Sequence, residues 1–230
     1  MLIKVVSFNI HHGTDTNNQP SLDRILTLLQ QIKADIINLQ EVDMLRPSTG
    51  EQKQASFLAQ RLGMRFIYGA VREYAQGSYG NAILSRYAIT SSRNIILADS
   101  KDIRYCLQAD IRTHNQTISI FNTHLGLSQP ARYKHLVDII LPDILSVNNP
   151  ALLAGDFNAP PSNPEITMVN NFLTDTFIKN SGIQINTFSA NNPTARIDYI
   201  FVNEYITPLD YYIIDTDVSD HLPVVAKVEI

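Results

Sequence analysis

A chain of 230 residues, 44% hydrophobic and 17% charged, can bury an ordinary globular core, and length alone admits one large domain or two small ones. A formal net charge of -4 and a pI near 5.8 exclude the basic footprint of a tight, non-specific duplex binder, leaving open a nuclease whose bound cations neutralise the phosphates. The single cysteine, Cys106, excludes an intrachain disulfide and a cysteine-rich zinc site.

In chain order, residues 2–10 read as a buried strand, apolar nearly throughout, with no secretory leader expected ahead of it. Ser21 can cap a helix whose Leu22, Ile25, Leu26, Leu29 and Ile32 fall on one face. Residues 35–41 form the next short strand, and residues 51–62 a second helix closed by Gly63. A β-rich stretch is predicted over 65–68, 82–85, 94–97, 105–111 and 117–122. A helix follows over 130–141, ended or kinked by Pro142, and strands over 151–154, 197–202, 211–214 and 223–228 complete the chain. Asp138, Pro142 and Asp143 interrupt the most apolar helical stretch, so no membrane span is expected and a cytoplasmic location is the default. No repeat, low-complexity tract or linker divides the chain, which predicts a single domain over 1–230. Many strands with a few interspersed helices predict an α/β or α+β layered fold, two sheets face to face with helices outside.

The residues able to do chemistry recur at strand ends. Asn9 closes the first strand, Glu41 the second, and His124 stands just past the strand over 117–122. Asp156 and Asn158 follow the strand over 151–154, Asp198 lies in the short strand after Arg196, and Asp220-His221 precedes the last strand. Strand ends feeding loops are where sites sit on a packed sheet scaffold. The residue types suit one chemistry: a hard cation such as Mg²⁺ takes oxygen ligands, and an imidazole moves a proton near neutral pH.

Seven segments together carry a resemblance: Ser7-Phe8-Asn9-Ile10-His11-His12-Gly13, Leu39-Gln40-Glu41-Val42-Asp43, Gly80-Asn81-Ala82-Ile83-Leu84-Ser85-Arg86, Asn122-Thr123-His124-Leu125, Gly155-Asp156-Phe157-Asn158, Arg196-Ile197-Asp198-Tyr199-Ile200 and Ser219-Asp220-His221-Leu222-Pro223. In that order they resemble the endonuclease/exonuclease/phosphatase family, the DNase I-like superfamily, over essentially the whole chain. The resemblance implies a four-layered αββα sandwich with its site at one edge of the two sheets. It also implies a metal-dependent phosphoester hydrolase.

Role by role, the resemblance implies Glu41 as the principal Mg²⁺ or Mn²⁺ ligand, with Asn9 beside it and Asp220 completing the set. It makes Asp156 the residue that orients or activates water and Asn158 a phosphate contact, although an Asx-turn before Pro160-Pro161 is the commoner use of such residues. His221 is the leading catalytic candidate, with Asp198 setting its tautomer; two nearby carboxylates would raise its pKa and a bound cation would lower it. His124 matches a second catalytic position, either protonating the leaving oxygen or binding a non-bridging one. Arg104, Asn81 and His11 are candidate phosphate contacts, each with a structural alternative: a solvated edge arginine, a turn cap and a loop histidine. His11 also departs from the apurinic endonucleases, which carry an acid there, and this puts a second metal in doubt.

The expected function is therefore divalent-metal-dependent hydrolysis of a small or lipid-headgroup phosphoester, by in-line attack of an activated water. A nuclease is the alternative; nucleic acid is a possible but not favoured partner, since there is no long basic insertion and no tryptophan wedge. A non-catalytic module keeping the fold is the alternative of another class, opposed by the full set of charged groups. A glycosidase-like use of the paired acids leaves the asparagines and Arg104 idle.

Overall fold

The structure, a computed structural model, describes residues 1–98, 103–177 and 185–230. The first sheet contains β1 Leu2–Asn9, β2 Ile36–Met44, β3 Arg65–Glu73 and β4 Ser78–Ser85. The second contains β5 Ala88–Ala98, β6 Ile103–Arg112, β7 Thr117–His124, β8 Ala151–Asp156, β9 Thr174–Asp175 and β10 Asp198–Val202. The chain then returns to the first sheet with β11 Thr207–Ile213 and β12 Val224–Glu229. The strand orders are β11-β12-β1-β2-β4-β3 and β5-β6-β7-β8-β10-β9.

Each sheet holds one parallel pair among the described residues, β1 with β2 and β7 with β8. A parallel pair needs a crossover, and helices supply both. Helix α1, Leu22–Ile32, joins β1 to β2; α3 Gln129–Tyr133, a π-helical stretch Lys134–Ile140 and α4 Leu141–Leu145 join β7 to β8. Helix α2, Gln54–Leu62, packs beside α1, and α5, Pro164–Val169, lies against the second sheet.

Strand periodicity assigns the layers. On β1, Ile3 and Val5 face the opposing sheet, whereas Val6 and Phe8 meet Leu22, Ile25, Leu26 and Leu29 of α1. On β8, Leu152 and Ala154 face inward between the sheets and Ala151 and Leu153 face the helices; on β10, Ile200 and Val202 oppose Tyr199 and Phe201 in the same way. Both faces of the central strands are thus covered, which is why β1 reads as nearly continuous apolar sequence. Helices, two sheets and helices make the αββα sandwich. Each fully buried Leu or Ile of these layers contributes roughly 1.5–3 kcal/mol.

The inter-sheet rows also place the polar residues. Following every second residue, β1 runs Ile3-Val5-Ser7-Asn9 and β7 runs Ile118-Ile120-Asn122-His124. The same spacing gives Leu152-Ala154-Asp156 on β8 and, read backwards, Val202-Ile200-Asp198 on β10. Each row turns from apolar to polar toward one edge of the sandwich. Registry aligns the ends, with Asp156 opposite both His124 and Asp198.

Several expected elements differ. Strand β2 continues past Glu41 to Met44, because a bulge between Leu39 and Val42 absorbs one extra residue opposite β4. Asn81 lies inside β4 rather than after a turn. Ser21 precedes α1 but makes no capping bond; its hydroxyl donates to the Val218 carbonyl at 2.7 Å. The helix over 129–145 passes through Pro142, because a wider turn precedes it: the Leu141 N–H bonds the Leu136 carbonyl five residues back. The short α5 and β9 carried no sequence signal.

Candidate active site

At the polar edge, one amide links two acids. Asn9 Nδ2 donates to Glu41 Oε1 and to Asp156 Oδ2, both at 3.1 Å, while Asn9 Oδ1 accepts the His11 N–H at 3.0 Å. Asp156 Oδ2 also lies 3.6 Å from His221 Nε2 and 3.5 Å from His124 Nε2. Behind His221, its Nδ1 meets Asp198 Oδ2 at 2.9 Å, and the ring of Phe188 packs at 4.8 Å between centroids. Asn158 closes an Asx-turn, its N–H bonded to Asp156 Oδ1 at 2.9 Å, so the turn and the site are one feature. Its amide donates to the Leu125 carbonyl at 2.8 Å and faces His124 Nε2 at 3.2 Å.

Local backbone explains the aim of each group. Without the bulge, Glu41 would follow Leu39 toward the helix face; with φ +53 at Glu41, its carboxylate instead meets Asn9. Gly155 has φ +149, and a Cβ there would lie 1.9 Å from the Thr123 carbonyl oxygen. Only glycine lets β8 approach β7 closely enough to set Asp156 beside His124.

The charges are tuned by burial and by one another. Burial alone would lower the His221 pKa, but Asp198 and Asp156 overcome it and raise it to about 10, so the ring is an imidazolium at neutral pH. Burial pushes the Asp156 pKa up, with His221 and His124 pulling the other way. His124 moves down, because burial outweighs the attraction of Asp156 and Glu41. Burial would also raise the Glu41 pKa; the histidines His124 and His12 and the Asn9 amide reverse this and hold it below its ordinary value. His12 Nε2 lies 3.2 Å from Glu41 Oε2.

Asn9, Glu41, His124, Asp156, Asn158, Asp198 and His221 thus converge. Asp220 stands beside them: its carboxylate lies 3.8 Å from His11 Nδ1, accepts from Ser219 Oγ at 3.4 Å, and its charge helps to raise the His221 pKa. The Asn81 amide donates to the Tyr105 carbonyl at 3.2 Å, and the Arg104 charge contributes to lowering the His124 pKa, which puts both at the β6 side of the site. His11 Nδ1 also meets Thr14 Oγ1 at 3.1 Å. The reading from sequence passed over His12 and Asp43, whose side chains stand 2.8 Å apart behind Glu41; the only signal was their position inside two of the matched segments.

For a divalent cation, the oxygen set of Glu41, Asp156 and Asn9 suits a hard ion, and Glu41 is held ionised. As placed, Asn9 turns its N–H to the acids, and ligation through its oxygen requires the amide to turn over. Asp156, Asp198 and His221 also bring ligand atoms within 4.8 Å of one another. Asp156 belongs to both sets.

A two-sheet sandwich with paired acids and an imidazolium at one polar edge defines a hydrolytic class of fold and site. Residues 6–221 match the Endonuclease/Exonuclease/phosphatase family, and the chain belongs to it, a family of phosphoester hydrolases. The chain is 30% identical to the uncharacterized protein YbhP of Escherichia coli (strain K12), covering 99% of this chain and 96% of that one. The fold is similar to that of the Bacteroides thetaiotaomicron mannosyl-6-phosphatase Bt3783, with a TM-score of 0.79, 20% identity, and 99% and 100% of the two chains covered. It is equally similar to D. rerio TDP2 complexed with single strand DNA product, with a TM-score of 0.81, 18% identity, and 100% and 99% covered. Among the described residues no helix is long and apolar enough to cross a membrane.

Proposed function

We propose that this protein is a divalent-cation-dependent phosphoester hydrolase acting on a small or lipid-headgroup phosphodiester or monoester. It works as a single domain over 1–230, in a cytoplasmic setting that suits a lone buried cysteine. The observation that carries the reading is the unbroken chain Glu41–Asn9–Asp156–His221–Asp198, each link 3.6 Å or shorter.

Asp156, made more basic by burial, orients the attacking water and accepts its proton. His221, held by Asp198, presents a fixed positive charge to a phosphoryl oxygen, and a pre-set charge in a dry site needs no reorganisation as the reaction proceeds. His124 at the end of β7 and Asn158, 3.2 Å apart, and Arg104 on β6 would contact the phosphate. Glu41 and Asn9 would hold Mg²⁺ or Mn²⁺. An ion held there would supply Lewis-acid stabilisation of the charge that develops on the phosphoryl group.

The small-substrate reading rests on the acidic chain, and the sugar-phosphate activity named for Bt3783 accords with it. The DNA product in the TDP2 complex favours the nuclease reading. Side-by-side hydrolysis of bis(p-nitrophenyl) phosphate and supercoiled plasmid, with Mg²⁺, Mn²⁺ or EDTA and His221→Ala as the blank, separates them. The expected result is cation-dependent cleavage of the small diester with plasmid intact. Plasmid nicking that vanishes in the variant makes the protein a nuclease, and no cleavage of either substrate at any cation removes the small-diester reading.

A further inference from the structure

The mechanism gives no work to His12, yet few residues are held more completely. Its Nδ1 bonds Asp43 Oδ1 at 2.8 Å, its Nε2 lies 3.2 Å from Glu41 Oε2, and its carbonyl accepts Gln54 Nε2 at 2.7 Å. Asp43 is fully buried and is fixed in turn by Arg46 at 3.1 Å, by Thr49 at 2.8 Å and by Gln54, whose Oε1 accepts the Asp43 N–H at 2.7 Å. The ring of Tyr79 packs edge-on, 5.6 Å between centroids. Backbone geometry adds to this: His11, His12 and Gly13 have φ of +45, +56 and +73 in succession, and Glu41 has φ +53. Left-handed non-glycine residues cost on the order of 1–3 kcal/mol each and persist where their surroundings over-determine them.

Two carboxylate–imidazole–carboxylate arrays therefore flank the site, Asp198–His221–Asp156 on one side and Asp43–His12–Glu41 on the other, with Asn9 joining their inner acids. The outer array fixes Glu41 by one oxygen. Oε2 faces His12 and Oε1 is the atom shared with Asn9 toward the centre.

We propose that His12 is a positioning residue for Glu41: anchored on Asp43, it occupies Oε2 and leaves Oε1 as the oxygen presented to a divalent cation. This rests on the reading of Glu41 as the cation's ligand. Of its two carboxylate contacts the one to buried Asp43 is the shorter, so His12 is held from behind and meets Glu41 in a fixed direction. Partners that orient a metal ligand are typically worth about 10–100-fold in affinity.

The test is Mn²⁺ binding to the full chain by calorimetry, with melting temperatures measured on the same samples. His12→Asn tolerates the left-handed backbone and can reach Asp43 but not Glu41, so it should weaken Mn²⁺ binding by about 10–100-fold with little change in melting. His12→Gln, whose amide can reach Glu41 Oε2, should recover most of that loss. Unchanged or tighter binding by His12→Asn overturns the proposal. Equal loss in both variants also overturns it, since that is the signature of a merely structural role. Glu41→Gln runs alongside: if it too binds Mn²⁺ like the parent, the assignment of Glu41 to the cation fails, and the role of His12 fails with it.

Discussion

Arg132 and Glu165 form an ion pair in the helical layer behind the site, Nε to Oε1 at 2.8 Å, with 5% and 0% of their surfaces exposed. Arg132 Nη1 also donates to the carbonyls of Leu127 at 2.7 Å and Gly126 at 3.4 Å. These carbonyls belong to the loop after His124, whose Leu125 carbonyl accepts from Asn158. Arg132→Met keeps the aliphatic bulk, but strands a buried carboxylate and releases the loop. Removing one partner of a buried pair costs about 3–5 kcal/mol, which for a chain of this size lowers the melting temperature by roughly 6–20 °C. Turnover should fall as well, since a shift of about 1 Å near reacting groups can cost on the order of 100-fold.

The pH dependence has a definite sign. Burial would raise the Glu165 pKa, but its own backbone N–H, Arg132, Gln129 and Asn163 together hold it below 4.5. A depressed carboxylate contributes stability that is complete above its unfolded value and lost as pH falls through its folded value. Urea unfolding of the parent and Arg132→Met should therefore differ most near neutrality and converge in acid. Replacing both partners, Arg132→Met with Glu165→Leu, should recover much of the loss. An Arg132→Met variant within about 1 kcal/mol of the parent at neutral pH would refute the reasoning, because a stranded buried charge cannot be that cheap.

Other changes test the site directly. His221→Ala should keep the fold and lower turnover by at least about 10²–10⁴-fold, read by diester hydrolysis against an unchanged circular dichroism spectrum. In the parent, the His221 ring should stay protonated until pH approaches about 10 in an NMR titration. Its stabilising contribution is then complete below its unfolded value of 6.5 and lost as pH rises toward 10. In Asp198→Asn, burial and the loss of the nearest negative charge should bring that titration down, with Asp156 still raising it, and a midpoint left near 10 would contradict the assigned cause. Gly155→Ala should destabilise by at least about 3 kcal/mol or fail to fold, since its Cβ would stand 1.9 Å from the Thr123 carbonyl oxygen; a melt like the parent's would show that β7 and β8 can separate.

Period-2 patterning made most strands legible, and the same rows explain why Asn9, His124, Asp156 and Asp198 could be placed from sequence: each ends a row that is apolar inside the sandwich. Glu41 was legible by residue type but not by geometry. The run Val42-Asp43-Met44 continues the strand, and nothing in the pattern announces that the chain takes an extra residue at a bulge. Pro142 reads as a stop only for an α-helix; the preceding π-turn widens the helix enough to pass the ring. Helix α5 has six residues and β9 two, too short for any periodicity to register. His12 and Asp43 escaped because they act behind an acid that was itself mis-set in its strand.

Left-handed backbone is not confined to the site, but four non-glycine examples gather there. His11, His12, Glu41 and Asn158 all have positive φ, and all lie in or against the site. Asn158 tests whether that strain serves the chemistry. Asn158→Gly removes the left-handed penalty, roughly 1 kcal/mol for asparagine, and gives up the bond to the Leu125 carbonyl, worth about 0.5–1.5 kcal/mol. The two nearly cancel, so stability should change by no more than about 1 kcal/mol. Turnover should nevertheless fall well beyond that, because the lost amide meets both the Leu125 carbonyl and the His124 ring, leaving only the Leu125 N–H bond to the Asp156 carbonyl and the His124–Asp156 contact to hold the loop to the turn. Chemical denaturation and diester hydrolysis on one preparation decide the matter: activity that falls only in step with stability would mean the left-handed turn is scaffold alone, and an undiminished rate would remove Asn158 from the site.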